Sequence, residues 1–552
     1  MTLSRLLSQP VPDDFPNGLA HPLPHRPVLR ARPGLWAGLV LLCLVPRALM
    51  VLRIGGVCPD AVLYIDLAKS LEAGDLHAGL REMRLNTFPV ILMLLHRVGL
   101  DWVTGGQLWN IAVASLVVLP LYGWARRQFD DRVALVACLL YAVHPKLIVW
   151  SPELIRDPTF WLLFMLSIYL LWRGVTEVRI GWFLAAGVTT TLSWLTRFEG
   201  LFLFIPLTLW TFWRWRALTM GRGRLLLGAV LSVVALPALV LAINAVFLRG
   251  HDQFALSRLR PLGLAQDWVA WLLGKPVQSA AGIVAEAGGP AGIPFGQMLW
   301  EFFPTMTRGL SPAFALLMFG GLWGWRRVWG RRDHQPLFYT AMAILAGIWI
   351  NLWYVEVSCP RYAFPIALMA SPFAALGLLG LTARCLRWAA RLELGAAARR
   401  AAAAAPLATV VLLGAAGVFA VDYTSRTVEV ELGHWIRRNF GPSPQLAGPI
   451  GLGTSVSFYA EGRCVPFPRE PADETIVAVV RQCKPDVLLL QRMKRMRPDR
   501  YAAVIERMRQ FGLEPVDRSL LPARSEKLHL LVRPRAGPRL AGGQAASSTD
   551  NF

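Results

Sequence analysis

Four short stretches of the 552-residue chain place ionisable side chains where an otherwise apolar sequence turns. "VCPDAVLYIDLAKSLEAGD" (57–75) follows the first apolar segment and carries Asp60, Asp66, Glu72 and Asp75. "SPELIRDPTF" (151–160) brings Glu153 and Asp157, "WLTRFEGLF" (194–202) brings Arg197 and Glu199, and "VEVSCPRYAFP" (355–365) brings Glu356 and Arg361. A carboxylate can take or give a proton in a reaction. A guanidinium can hold a phosphate through paired, charge-assisted hydrogen bonds. Each residue also has a plainer reading. Asp60 stands where an N-cap would stand, and Asp66, Glu72 and Asp75 suit a solvated helix face. Glu153 and Asp157 are four residues apart and share a face only if one helix carries both, which Pro158 leaves open.

The elements that must position these groups are membrane spans. Hydrophobic residues make up 55% of the chain and charged residues only 17%, and 22 tryptophans are present. Soluble domains carry roughly 25% charge. The deficit coincides with repeated apolar stretches of about 17–23 residues, each long enough for a hydrocarbon core of about 30 Å. About eleven spans are expected, near 33–52, 105–125, 132–150, 158–174, 180–196, 199–214, 226–247, 309–326, 337–355, 362–384 and 405–422. The Arg-rich links at 126–132, 173–179, 214–224, 326–332 and 384–400 then fall on one side, with the N-terminus. By the positive-inside rule that side is cytoplasmic. The net charge of +22 therefore reports topology, not nucleic-acid binding. The expected location is a cell inner (plasma) membrane.

This phase puts the four charged turns on the outer face, with loops 53–104 and 248–308. Ionisable groups at membrane depth are costly unless paired or facing a cavity. Four converging turns therefore suggest a site. Leu63, Leu67 and Leu71 predict an amphipathic surface helix over 60–73, and "FPVILMLLHRVGL" (88–100) is too short to span. Residues 1–32 and 536–552 read as disordered tails and 33–424 as the membrane domain. Over 425–535, helical and strand periods alternate, predicting a small extracytoplasmic α/β domain.

In this order and topology, "PDAVLYIDLAKSLEAGD", "SPELIRDPTFWLLFMLSIYLLWRG", "WLTRFEGLFLFIPL" and "CPRYAFPIALMASPFAALGLL" resemble the polyprenyl-phosphate-sugar-dependent glycosyltransferases of the GT-C superfamily. The protein O-mannosyltransferase and lipid A aminoarabinose transferase group is the nearest type. The resemblance covers essentially 33–535. It implies a GT-C-like fold and an inverting transfer of a sugar from a polyprenyl phosphate to a lipid, protein or glycan acceptor. Asp60 matches the catalytic base, Asp157 (with Glu153 as alternative) a supporting acid, and Arg197 and Arg361 the donor-phosphate contacts. Arg84 is a further phosphate candidate. Many members carry Asp-Glu at the first position, whereas here Asp60 is followed by Ala61. That departure puts a divalent metal ion in doubt. The rival class is a transporter or flippase of an anionic or lipid-linked substrate, which also lines its path with charges, but no internal repeat is evident.

Among nine histidines there is no HExxH or His-x-His cluster, so a dedicated zinc site is not expected. Of seven cysteines, Cys58, Cys359, Cys464 and Cys483 fall on the outer side. Bridges Cys58–Cys359 and Cys464–Cys483 are candidates there, since disulfides persist outside the cytoplasm, with four free thiols the slightly favoured reading.

Overall fold

The computed structural model describes residues 33–81, 86–247, 295–329, 340–349, 359–468, 472–491, 498–522 and 528–534. Contacts divide the chain into two units: residues 67–421 with the first helix, and Leu52–Asp66 with the chain from Asp422 onward. The first-loop segment 52–66 thus groups with the C-terminal region, not with the membrane domain.

The first unit is helical. Six helical stretches among the described residues are long and apolar enough to cross a membrane: Pro33–Val51, Trp102–Gln128, Asp157–Glu177, Arg222–Ile243, Pro360–Arg391 and Ala396–Phe440, the last comprising helix Ala396–Phe419 of this unit and helix Thr424–Phe440 of the second. Several are broken where the sequence demands it. Pro145 opens a short helix, Pro145–Trp150, directly after Asp131–Val143, because a proline has no N–H to continue the ladder. The core is dense with aromatic residues, among them Trp124, Trp161, Trp172 and Trp210, all fully buried. Small residues let helices approach closely. Any Cβ at Gly321 would strike Phe373 O, and one at Gly377 would strike Leu317 O. Helices Pro312–Trp329 and Phe364–Arg391 therefore cross backbone to backbone, the small-residue packing that replaces hydrophobic drive in lipid.

One charge sits inside the first helix. Arg47 is fully buried, donating from Nε to Ser151 Oγ (3.1 Å), from Nη1 to Cys43 O (2.8 Å) and from Nη2 to Tyr141 O (3.4 Å). Its guanidinium carbon lies 4.6 Å from the Tyr141 ring centroid. An arginine among the apolar residues of a span persists only when its charge finds partners of this kind.

In the second unit five strands form a sheet: β1 (Gln445–Pro449), β2 (Arg463–Phe467), β3 (Val487–Gln491), β4 (Glu514–Pro515) and β5 (Leu528–Val532). Their order is β2-β1-β3-β5-β4, with β1 parallel to β2 and β3 and with β5 antiparallel to β3 and β4. β3 is central, which explains its unbroken "VLLL" run, buried on both faces. Leu446, Val487, Leu489 and Leu530 pack on helices Thr424–Phe440 and Leu452–Tyr459. Ala447, Leu488, Leu490 and Leu531 pack on helices Asp473–Cys483 and Pro498–Arg509.

That layering separates two of the cysteines. Cys464 pairs in register with Leu446 and packs on the first face, whereas the helix ending at Cys483 covers the second. Cys58, Cys359, Cys464 and Cys483 are free thiols in this structure. Burial pushes the Cys464 thiol up to about 12, which leaves almost no thiolate near neutral pH.

The surface helix is also displaced. The helix Pro59–Glu72 buries Ala61, Tyr64, Ile65 and Ala68, while of the expected leucine row only Leu67 is buried. Asp60 lies in its first turn, inside the helix and not at the N-cap. Asp66 is exposed, and Asp75 accepts from Ala78 N (2.9 Å) at the start of the next short helix. Thr87–Arg97 is an 11-residue helix capped by Asn86, whose side chain accepts from Phe88 N at 3.0 Å.

Two outcomes follow. Gly377→Leu is expected to cost about 1–3 kcal/mol or more through overpacking, lowering the unfolding temperature of detergent-purified protein, whereas Gly380→Ala, with open space around it, leaves it unchanged. Peptide mapping without reductant should recover Cys464 and Cys483 on separate peptides, with Cys464 alkylated slowly in the folded protein; a cross-linked peptide would contradict the layering.

Candidate functional site

The helix Asp157–Glu177 starts at Asp157 because Pro158 suits the first turn, where no N–H is needed. Its N-terminal dipole also favours a carboxylate at that position. Glu153 precedes the helix, in the bend 151–156, so the two acids do not share a helical face. The bend is pinned by Asn110, whose Nδ2 donates to Glu153 O (2.5 Å) and Ile155 O (2.9 Å). Gly106 lies on the same helix, and a Cβ there would come within 3.1 Å of Leu154.

The second turn follows helix Ile180–Thr196. Arg197 is extended (φ −143°, ψ 144°), and a 3-10 turn, Phe198–Leu203, leads into the helix Phe204–Ala217. Residues 198–203 therefore lie between two helices and do not open a span at 199. Gly200 allows the reversal, since any Cβ there would collide with the backbone of Ser193 and Trp194. Thr196 also meets Thr87, Oγ1 to Oγ1 at 2.6 Å, tying the short helix Thr87–Arg97 to this turn.

These two turns bring Asp157 and Arg197 together. Arg197 Nη1 donates to Asp157 Oδ1 at 2.5 Å. Its Nε and Nη2 donate to Glu199 Oε2 (3.2 Å) and Oε1 (2.5 Å). Side-chain exposures are 4%, 2% and 4% for Arg197, Asp157 and Glu199. The third turn, a 3-10 helix at Pro360–Ala363, adds Tyr362, its ring centroid 5.1 Å from the Arg197 guanidinium carbon; Phe160 lies at 5.7 Å. Arg361 is half-buried beside Tyr362.

The electrostatics follow. Burial pushes the Glu199 carboxyl up, but the charge and hydrogen bonds of Arg197 outweigh it and hold it below its ordinary value. Burial also works against the Arg197 charge, and the two carboxylates more than compensate. One cation between two anions leaves the cluster formally at −1, not the bare positive charge that a simple phosphate contact would present. Three of the five N–H donors of Arg197 are used. Asp157 Oδ2 is buried without a hydrogen-bond partner among the described residues.

A divalent metal does not fit this donor set, because both carboxylates already share a guanidinium. Among the described residues no group of three or more His, Cys, Asp or Glu could hold a metal ion.

Asp60 belongs to the other unit and is half-buried. Its segment is anchored there: Val57 N–H donates to Tyr459 Oη at 2.8 Å. A Cβ at Gly55 would strike Thr427 Oγ1, and one at Gly56 would come within 2.8 Å of Val430 Cγ2. Arg84 and Glu356 lie outside the described residues. Sequence reasoning placed Glu199 in the right turn but missed that it would chelate Arg197. Residues two apart do not face each other on a helix; they do here because the chain leaves the helix at Arg197. Tyr362 and Asn110 were missed too, and neither carried a signal in the sequence.

Arg197→Met should cost about 3–5 kcal/mol, the penalty for stranding buried charge, read as a fall in unfolding temperature. Because the folded Glu199 carboxyl titrates below its unfolded value of about 4.3, its contribution is present above that pH and is lost as pH falls through the folded value. Glu199→Gln is therefore expected to flatten the acid limb of the stability–pH curve relative to wild type.

Residues 88–241 match the family model of dolichyl-phosphate-mannose-protein mannosyltransferases. No curated protein matches the chain by sequence. Among solved structures, ArnT from Cupriavidus metallidurans in the apo state is similar over 93% of this chain and 99% of its own, with TM-score 0.56 and 16% identity. The same protein bound to undecaprenyl phosphate gives TM-score 0.52 and 15% identity over 93% of this chain and 100% of its own. The oligosaccharyltransferase AglB from Archaeoglobus fulgidus, in complex with an inhibitory peptide and a dolichol-phosphate, gives TM-score 0.51 and 12% identity over 84% of this chain and 70% of its own. The chain shares its fold with ArnT and AglB, and within it residues 88–241 match the sequence pattern of the dolichyl-phosphate-mannose-protein mannosyltransferase family.

Proposed function

We propose that this membrane protein is an inverting glycosyltransferase that takes a sugar from a polyprenyl-phosphate donor and passes it to an acceptor on the extracytoplasmic face. The observation that carries this reading is the buried Asp157–Arg197–Glu199 cluster at the ends of spanning helices, in a fold shared with a protein bound to undecaprenyl phosphate. Its position at helix ends supports chemistry at the membrane surface over passage through a midplane site.

In this reading eleven spans carry the N-terminus in the cytoplasm and the α/β domain outside. Asp60 is the general base that takes the acceptor proton as the acceptor attacks the anomeric carbon. The bond to the donor phosphate breaks in the same displacement, and the polyprenyl phosphate leaves with the electron pair. Arg361 contacts the departing phosphate. Arg197, held between Asp157 and Glu199, has two N–H groups without a partner among the described residues, and these serve the same phosphate in a buried setting where each is worth more than in water. Asp157 is the supporting acid and keeps Arg197 oriented. Glu153 is a second acid in the same bend. The acceptor is a lipid, protein or glycan hydroxyl or amine.

The test follows release of polyprenyl phosphate from a panel of polyprenyl-phosphate sugars, with cell-envelope extract supplying acceptors. Wild type should release it from one donor, and Asp60→Asn should lower the rate by about 10²–10⁴-fold, the usual share of general-base catalysis. Equal rates would move the base to Glu153 or Asp157; no release from any donor would favour transport.

A further inference from the structure

Helices Phe204–Ala217 and Arg222–Phe247 are joined by a short link, and an open groove of about 790 Å³ runs between them. Its walls are Phe204, Leu207, Phe212, Trp215, Leu226 and Val230, continued by Val233 and Val234. The volume lies in the range of roughly 300–1,000 Å³ typical of small-molecule sites. At a rise of about 1.5 Å per residue, the stretch from Trp215 back to Phe204 is about 16 Å deep, one leaflet's share of a core of about 30 Å.

Polar groups are graded along this depth. At the linked end, Arg216 stacks on Phe212 (5.5 Å) and Arg222 on Trp215 (5.1 Å), so two groove walls carry exposed guanidinium groups. About one turn deeper is Thr211, 6% exposed, whose hydroxyl has no hydrogen-bond partner among the described residues. Thr208, deeper still, spends its hydroxyl on Phe204 O and offers the groove a methyl group. Beyond it the lining is aliphatic and aromatic. Two cations, then one unsatisfied donor, then hydrocarbon is the order of phosphate, ester carbonyl and acyl chain in a glycerophospholipid.

We propose that this groove binds one anionic glycerophospholipid, with its phosphate on Arg216 and Arg222, an ester carbonyl accepting from Thr211, and an acyl chain between Phe204 and Val234. The site rests on the membrane placement of these helices and not on the transferase reading. A polyprenyl phosphate would satisfy the arginines but has no carbonyl for Thr211, and the observations favour the phospholipid on that ground. Retention of an anionic lipid here would brace the two helices against each other. The first of them descends from the turn bearing Arg197 and Glu199.

Native mass spectrometry of the full chain, released from nanodiscs, tests this with three probes: phosphatidylglycerol, its diether analogue and phosphatidylcholine. One phosphatidylglycerol should be retained at least tenfold more than phosphatidylcholine. Arg216→Gln with Arg222→Gln should abolish that preference. Thr211→Val, which keeps the shape, should lower retention of the diester several-fold to the level of the diether. The surface positions of both arginines make misfolding a poor explanation of a loss, and an unchanged unfolding temperature checks it. Equal retention of the two headgroups, or no effect of the arginine pair, would overturn the site. Displacement of phosphatidylglycerol by equimolar polyprenyl phosphate, with Thr211→Val inert, would overturn the choice of occupant.

Discussion

Arg197 is buried, charged and held by two carboxylates, and that ion cluster is the constraint around which the candidate site is built. Burying three charges is tolerable only when each finds a partner with good geometry. Glu199 meets the guanidinium fork on two nitrogens and Asp157 meets a third. The geometry needs an extended residue at 197, a glycine at 200 and a helix starting at 157. Local chain features supply each: the end of the 180–196 helix, the clash that any Cβ at Gly200 would make, and Pro158. Asn110 and the Thr87–Thr196 contact then fix the turns to neighbouring helices.

Arg47 shows a second way of keeping a charge inside the same bundle. Among the described residues no carboxylate pairs with it; two carbonyls, a hydroxyl and the Tyr141 ring share its charge. It links the first helix to the bend that leads to Glu153 and Asp157 through Ser151. The two arginines thus act on one stretch of chain, 151–157, from different helices. Close glycine contacts elsewhere, as at Gly321 and Gly377, leave little slack for these anchors to shift.

The α/β unit is more than an appendage by its contacts. The segment that carries Asp60 is taken into it, with Val57 bonded to Tyr459 and Gly55 and Gly56 pressed on the helix Thr424–Phe440. Both glycines are required by proximity, since a side chain at either would displace that helix. Whatever chemistry Asp60 performs, its position depends on a domain that begins more than 350 residues later in the chain.

Sequence alone determined the helical, membrane-suited character of the described part of residues 33–424, the alternating helices and strands after 424, and the turns where charge gathers. Those properties follow from composition, apolar length and period, which each segment carries by itself. Pro158 was legible for the same reason, whereas Pro145, which splits the span expected over 132–150, was not. Tertiary structure decided what the charges do. That Arg197 is shared between Asp157 and Glu199, that Glu153 lies off the helix, that Cys464 and Cys483 serve opposite faces of a sheet, and that residues 52–66 join the C-terminal unit all depend on contacts between distant segments. A side chain's type states which partners it needs, and only the packed chain determines which partners it finds.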